Sequence, residues 1–200
     1  MISYIVSTFE KPKHLLCLLA SLAVQTYQDA EIIVCDNSNS PEMSLSNRQV
    51  VALFAGGWGL NARYLDTSKR VGGQTCYHGL EVEPKGEWLC FPSDDGYHVP
   101  MFAELMMQRS GKPGLIYCDV VYDPRLALCT VGKQEYSVMN TFPDLGKFEK
   151  TCFIIHRDWF KEIGGWQPHP LDWQDGALIR AAVEAGVPIT KVNGPMVVHN

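Results

Sequence analysis

The first forty residues constrain the fold most, because they read as a strand, a crossover helix and a second strand. Ile2-Ser3-Tyr4-Ile5-Val6-Ser7 is a β-rich run, and Glu10-Lys11-Pro12 is a turn. Residues 13–24 carry Leu15, Leu18, Leu19 and Leu22 at a spacing that builds one buried helical stripe. Pro12 sits where a helix begins, a position in which its missing N–H is harmless. Glu31-Ile32-Ile33-Val34-Cys35 then returns the chain to the sheet. Two successive strands joined by a helix run parallel, so the expected architecture is α/β, with a mostly parallel central sheet flanked by helices.

Further along, the pattern predicts a helix over 45–55, a short strand over 63–65 and a helix over 73–82. Trp88-Leu89-Cys90-Phe91 reads as a buried strand and stops abruptly in Pro92-Ser93-Asp94-Asp95-Gly96. A helix over 101–108, a strand over 115–118, antiparallel strands through 126–131 and a loop over 141–147 follow. The C-terminal part reads as a strand over 152–156, a short helix closed by Gly164-Gly165, a helix over 175–185 stopped by Gly186, and two strands over 189–192 and 196–199. No linker-like tract interrupts the chain, and 200 residues with 46% apolar side chains suit one domain. Its two halves, about 1–100 and 101–200, divide the work expected of it.

In open α/β sheets, ligands collect outside the carboxyl ends of the strands. Ser7-Thr8-Phe9-Glu10, Asp36-Asn37-Ser38 and Ser93-Asp94-Asp95 occupy three such ends and converge on one crevice if their strands are neighbours. Adjacent carboxylates repel, so Asp94 and Asp95 call for a cation, and oxygen ligation by one or two carboxylates suits magnesium or manganese. The plainer alternative is that the pair caps the helix after Pro100 or forms an Asx-turn before Gly96. Gly56-Gly57-Trp58-Gly59 lacks dinucleotide-loop spacing and reads as a helix-ending turn. Gly72-Gly73, behind Lys69 and Arg70, reads equally as an anion-binding helix start or a tight turn. Asp175 is either a first-turn acid or a functional carboxylate, and His199 either a satisfied histidine or a ligand.

A formal net charge of −5 argues against nucleic acid as a partner. The longest apolar run, 15–24, is half of the ~20 residues a membrane span requires. No signal peptide is expected before the opening strand. Seven cysteines, without Cys-x-x-Cys spacing, suit buried thiols in a reducing cytoplasm, the inner face of a membrane with peripheral attachment included.

Four stretches together resemble the family 2 glycosyltransferases of the GT-A fold. They are Ser3-Tyr4-Ile5-Val6-Ser7-Thr8-Phe9, then Gln25-Thr26-Tyr27 with Glu31 through Ser38, then Gly86-Glu87-Trp88-Leu89-Cys90-Phe91-Pro92-Ser93-Asp94-Asp95, and finally residues 153–165 with Gln174-Asp175 and Arg180 behind them. The resemblance implies a transferase that moves a sugar from a nucleotide diphosphate sugar, UDP-sugar favoured, to a glycan or other hydroxyl acceptor. It implies that Thr8 and Asp36, with Glu10 in the same loop, hold the nucleobase, that Asp94 binds ribose, and that Asp95 binds the cation, Mn2+ or Mg2+. It further implies His199 as a second metal contact, Asp175 as catalytic base, and Arg70, Gln74 and Lys69 as donor contacts. Two positions depart from the family's pattern: Pro92 replaces the first acid of the metal motif, and Gln174 replaces the glutamate before the base.

The mechanism expected is one-step, inverting displacement, with metal charge on the leaving diphosphate and Asp175 taking the acceptor's proton. Trp166 and Trp173 either stack on an acceptor sugar or pack in the core. The alternatives are a nucleotidyltransferase and a non-catalytic nucleotide-sugar or glycan-binding module.

Overall fold

The structure, a computed structural model, describes residues 1–68, 78–122, 137–139, 149–167 and 174–199. Its opening unit is β1 (Ile2–Thr8), α1 (Pro12–Ala23) and β2 (Ala30–Asp36), with β1 and β2 parallel in the register Ile2↔Ala30 to Thr8↔Asp36. Every residue of β1 is buried, and Leu15, Leu18, Leu19 and Leu22 form the inner stripe of α1. α2 (Pro41–Gly57) follows, then β3 (Ala62–Asp66), which pairs parallel with β2. α2 starts four residues earlier than the hydrophobic period suggests. Ser40 caps it by accepting from the Met43 N–H at 3.4 Å, and Pro41 occupies its first turn. Its far end is the glycine-rich turn expected there, with Trp58 as C-cap and Gly59 at φ +68°.

β4 (Trp88–Cys90) joins the other edge of β1, again parallel. The order β3-β2-β1-β4 therefore sets the three polar strand ends side by side. β5 (Gly96–His98), α3 (Phe102–Met107), β6 (Leu115–Tyr122), β7 (Ser137–Met139), β8 (Phe153–His156), α4 (Arg157–Glu162), α5 (Gln174–Glu184) and β9 (Ile189–His199) complete the described strands and α-helices. The sheet continues β4-β8-β6-β9-β5, with β7 on β6. It is a mixed sheet. β8 is antiparallel to β4 and β6, β7 to β6 and β5 to β9, whereas β6 and β9 are parallel.

Three differences separate the structure from the sequence reading. The two C-terminal strands are one strand, β9, whose register against β6 shifts at Asp119. Gly194, at φ +99°, permits the irregularity that masks it in the sequence. β5 is a strand where only a turn was expected. Five residues separate it from β4, and a turn closed by the Gly96 N–H on Ser93 O at 3.3 Å shortens their reach. The distal end of the sheet must therefore curl back over the carboxyl end of β4. Finally, within the segment expected as a helix over 73–82, the described residues, 78–82, hold only a 3-10 turn, Leu80–Val82. Residues 69–77, the expected strands over 126–131 and the loop over 141–147 lie outside the described residues.

The core is continuous across the sheet, from Ile5, Ile33 and Leu89 to Phe102, Ile116 and Ile154. Cys35, Cys90, Cys118 and Cys152 are buried thiols within it and Cys17 is exposed. No described helix is long and apolar enough to cross a membrane.

Candidate active site

Thr8 ends β1 opposite Asp36, and an isolated parallel bridge joins Ser7 to Ser93 just beyond β4. The Thr8 hydroxyl donates to Asp94 Oδ2 at 2.8 Å. The loop after β1 turns at Glu10, which adopts φ +55°, a conformation uncommon outside glycine and asparagine. Two contacts with the exit of β2 hold it there. The Glu10 N–H donates to Ser38 Oγ at 2.9 Å, and the Ser40 N–H donates to Glu10 Oε1 at 3.2 Å. That fixed turn delivers Lys11, whose Nζ lies 3.6 Å from Asp94 Oδ1 and 3.5 Å from Asp95 Oδ2.

Asp36 is buried and heavily coordinated. Oδ1 accepts from the Ser38 N–H at 3.0 Å, Ser38 Oγ at 2.6 Å and Asn47 Nδ2 at 3.1 Å, while Oδ2 accepts from the Tyr64 hydroxyl at 2.8 Å. Burial, together with this carboxylate, pushes the Tyr64 hydroxyl up to about 12. A base contacting Asp36 would share an oxygen that already holds a donor.

Asp94 and Asp95 do not cap the next helix, since the residue before α3 is Met101 and makes no side-chain cap. Their environments separate them. Burial raises the Asp94 carboxyl and the charge of Asp95 adds to this, against Lys11, Thr8 and Lys150. Burial works the same way on Asp95 but is outweighed by His199, Ser93 and Lys11, which hold its carboxyl well below the usual range. His199 Nε2 is 3.4 Å from Asp95 Oδ1 and 3.6 Å from Glu149 Oε2. The β5–β9 register, Gly96↔His199, produces that placement. A Cβ on Gly96 would meet Val198 O at 2.9 Å, so the close approach requires glycine.

Asp175, buried in the first turn of α5, reaches this cluster through Lys150, whose backbone N–H donates to Asp175 Oδ2 at 3.0 Å. Lys150 is itself buried. Desolvation pulls its ammonium below the usual lysine range, opposed by Asp175, Asp94, Asp95 and Glu149. Ser7, Phe9, Lys11, Ser93, Asp94, Asp95 and Lys150 line one cavity of about 120 Å³.

The structure thus brings together Thr8, Asp94, Asp95, His199 and, one contact away, Asp175, with Glu10 and Asp36 bracing the adjoining loop. Arg70, Gln74 and Lys69 lie outside the described residues, as does Trp173. Trp166 packs edge-on against Phe91 with ring centroids 4.8 Å apart, and its Nε1–H donates to His78 O at 3.0 Å, so it is partly buried against the edge of the core. Lys11, Glu149 and Lys150 escaped the sequence reading. Lys11 carried a usable signal, a cation in the loop beside the first polar strand end. Glu149-Lys150 carried almost none, because a charged pair before an apolar strand is ordinary.

Asp95, His199 and Glu149 offer oxygen, nitrogen and oxygen donors, a set that suits Mn2+ or Mg2+. Among the described residues, no three ligating side chains are already arranged to hold an ion. Such ions often keep positions for phosphate and water rather than a full protein cage, so the donor set fits.

In open α/β sheets ligands collect outside the carboxyl ends of the parallel strands, and the acidic cavity lies at that edge. Residues 3–164 match the model of glycosyl transferase family 2, and the chain belongs to that family. No curated protein is significantly similar to it. Among solved structures, S. aureus TarS in complex with UDP-GlcNAc superposes with a TM-score of 0.70 at 17% identity, over 98% of this chain and 57% of that one. The mannosyltransferase PcManGT from Pyrobaculum calidifontis, in complex with GDP-Man and Mn2+, gives 0.69 at 12% identity, over 99% and 56%. GalNAc-T7 with UDP, GalNAc and Mn2+ gives 0.66 at 14% identity, over 100% and 43%. The chain thus spans about half the length of these solved structures, and at such identities the likeness shows the fold.

Proposed function

We propose that this protein is a glycosyltransferase that moves a sugar from a nucleotide diphosphate sugar to a hydroxyl acceptor, in polysaccharide or glycoconjugate synthesis. The observation that carries the reading is the acid pair at the junction of the two halves, with Asp94 bound to Thr8 on one side and Asp95 facing His199 on the other. Membership of family 2, and neighbours solved with UDP-GlcNAc, UDP or GDP-Man, support a nucleotide-sugar donor, and UDP-sugar is the favoured one.

In this reading the base lies between the loop after β1 and the exit of β2, near Thr8, Glu10 and Asp36, while Asp94 takes the ribose. Asp95 and His199, with Glu149 beside them, hold the divalent ion. An ion bound there supplies positive charge to the departing diphosphate. Asp175 accepts the acceptor's proton as its oxygen attacks the anomeric carbon, and one such displacement inverts the configuration. Arg70 and Gln74 are further donor contacts.

Sugar transfer by the purified chain, with UDP-sugars tried first, tests this directly. Asp95→Ala should lower transfer by about 1,000-fold and weaken metal-dependent donor binding, with the fold retained. Asp175→Asn should keep donor binding and lose transfer. Normal transfer by Asp175→Asn would remove that residue from the mechanism, and donor binding without turnover in the wild type would indicate a binding module.

A further inference from the structure

We propose that Lys150 gives the donor's diphosphate a counter-charge built into the protein, so that donor binding keeps a component independent of the divalent ion. The inference rests on the glycosyltransferase reading and adds a contact to it.

The geometry is specific. Lys150 opens the 3-10 turn Lys150–Cys152 and is 8% exposed, yet it lines the cavity that Asp94 and Asp95 share with Ser7, Phe9 and Lys11. The backbone around it is pinned at three successive residues. Its own N–H donates to Asp175 Oδ2 at 3.0 Å, the Thr151 carbonyl accepts from His98 Nε2 at 3.0 Å, and the Cys152 carbonyl accepts from Cys118 Sγ at 3.5 Å. A lysine loses much rotamer freedom when it is ordered, and here burial and a fixed backbone impose that loss before any ligand arrives.

Charge supplies the second half of the argument. An isolated buried ammonium is unfavourable, and Asp175, Asp94, Asp95 and Glu149 offset part of that cost for this one. Those four carboxylates outnumber Lys11 and Lys150, so the site remains acidic. A diphosphate entering beside Asp94 and Asp95 meets repulsion that one divalent ion on Asp95 opposes from a single direction. Lys150 opposes it from inside the cavity, where screening by salt is weak. Lys11, whose side chain is 37% exposed, does so from a wetter position.

The test is calorimetric titration of the whole chain with UDP, GDP and inorganic pyrophosphate, once in Mn2+ and once in EDTA. Failure of all three to bind the wild type in Mn2+ would refute the glycosyltransferase reading and this inference with it. Once one binds, the wild type should also bind it in EDTA. Lys150→Met should then weaken the EDTA affinity by about tenfold or more, and weaken it several times more than the Mn2+ affinity. Lys150→Arg should stay close to wild type. Equal losses in both conditions would mark a merely structural lysine and overturn the proposal, as would undiminished EDTA binding by Lys150→Met or no EDTA binding by the wild type. If Lys150→Met does not fold, 15N NMR of the lysine side chains decides. The Nζ signal missing from Lys150→Arg should move when pyrophosphate is added to the wild type in EDTA, and an unmoved signal overturns the proposal.

Discussion

The parallel strands β1, β2 and β4 and the distal strands β5, β6 and β9 hold the candidate site from opposite sides by different means. On the parallel side, strands buried along nearly their whole length carry their polar residues at their own ends, so that Thr8, Asp36 and Asp94 follow directly from hydrophobic burial. On the distal side the contributors are scattered. His199 ends β9, Glu149 and Lys150 precede β8, and Asp175 belongs to α5. A few polar contacts and one glycine-dependent approach gather them. The floor of the site is thus set by the strands of the core itself, whereas its other wall depends on a handful of specific contacts.

That contrast can be broken first where the effect is largest. Ile33→Ala opens a cavity in β2, at a position with no measurable exposure, and should cost about 2–5 kcal/mol in urea unfolding. Donor affinity of the folded fraction should stay near wild type, and a large affinity loss would show that floor and core are not separable.

The next effect depends on pH. Burial lowers His98 to about 4, and the hydrogen bond to Thr151 O only partly opposes this. The unfolded chain, with a histidine near pH 6.5, therefore binds more protons than the folded chain between pH 6.5 and 4. Stability attributable to His98 is complete above about 6.5 and falls as the pH drops toward 4, by about 3 kcal/mol in total. Denaturation across that range should show a shallower decline in His98→Gln than in the wild type, and parallel declines would contradict the assignment.

The smallest effect on stability should be the most selective for the site. Gly96→Val places side-chain atoms where Val198 O already lies 2.9 Å from a hypothetical Cβ, which should cost about 1–3 kcal/mol. Metal-dependent donor binding should fall far more than stability, because His199 moves with β9. Unchanged donor binding would detach His199 from the site.

The same contrast explains what could be read beforehand. The βαβ opening, the three polar strand ends and their convergence were legible, since each depends on a local period of 2 or 3.6 and on short connections. The early start of α2 was also encoded, in Ser40-Pro41, although the hydrophobic period began later. By contrast, β5 is three residues long and pairs with a strand a hundred positions away, so no local pattern marks it. Lys150 enters the site by the same kind of long-range pairing. Its sequence neighbourhood is an unremarkable charged pair, and only burial among four carboxylates distinguishes it.

In the reading proposed above, the acid pair is a metal-assisted site for a nucleoside diphosphate. Thermal-shift titration of the purified protein against a panel of nucleoside diphosphates, with and without Mn2+, tests that most directly. A manganese-dependent rise with one nucleotide is expected, since a ligand at 100 times its Kd adds about 2.7 kcal/mol of stability. No shift with any nucleotide, in protein shown to be folded, would contradict it.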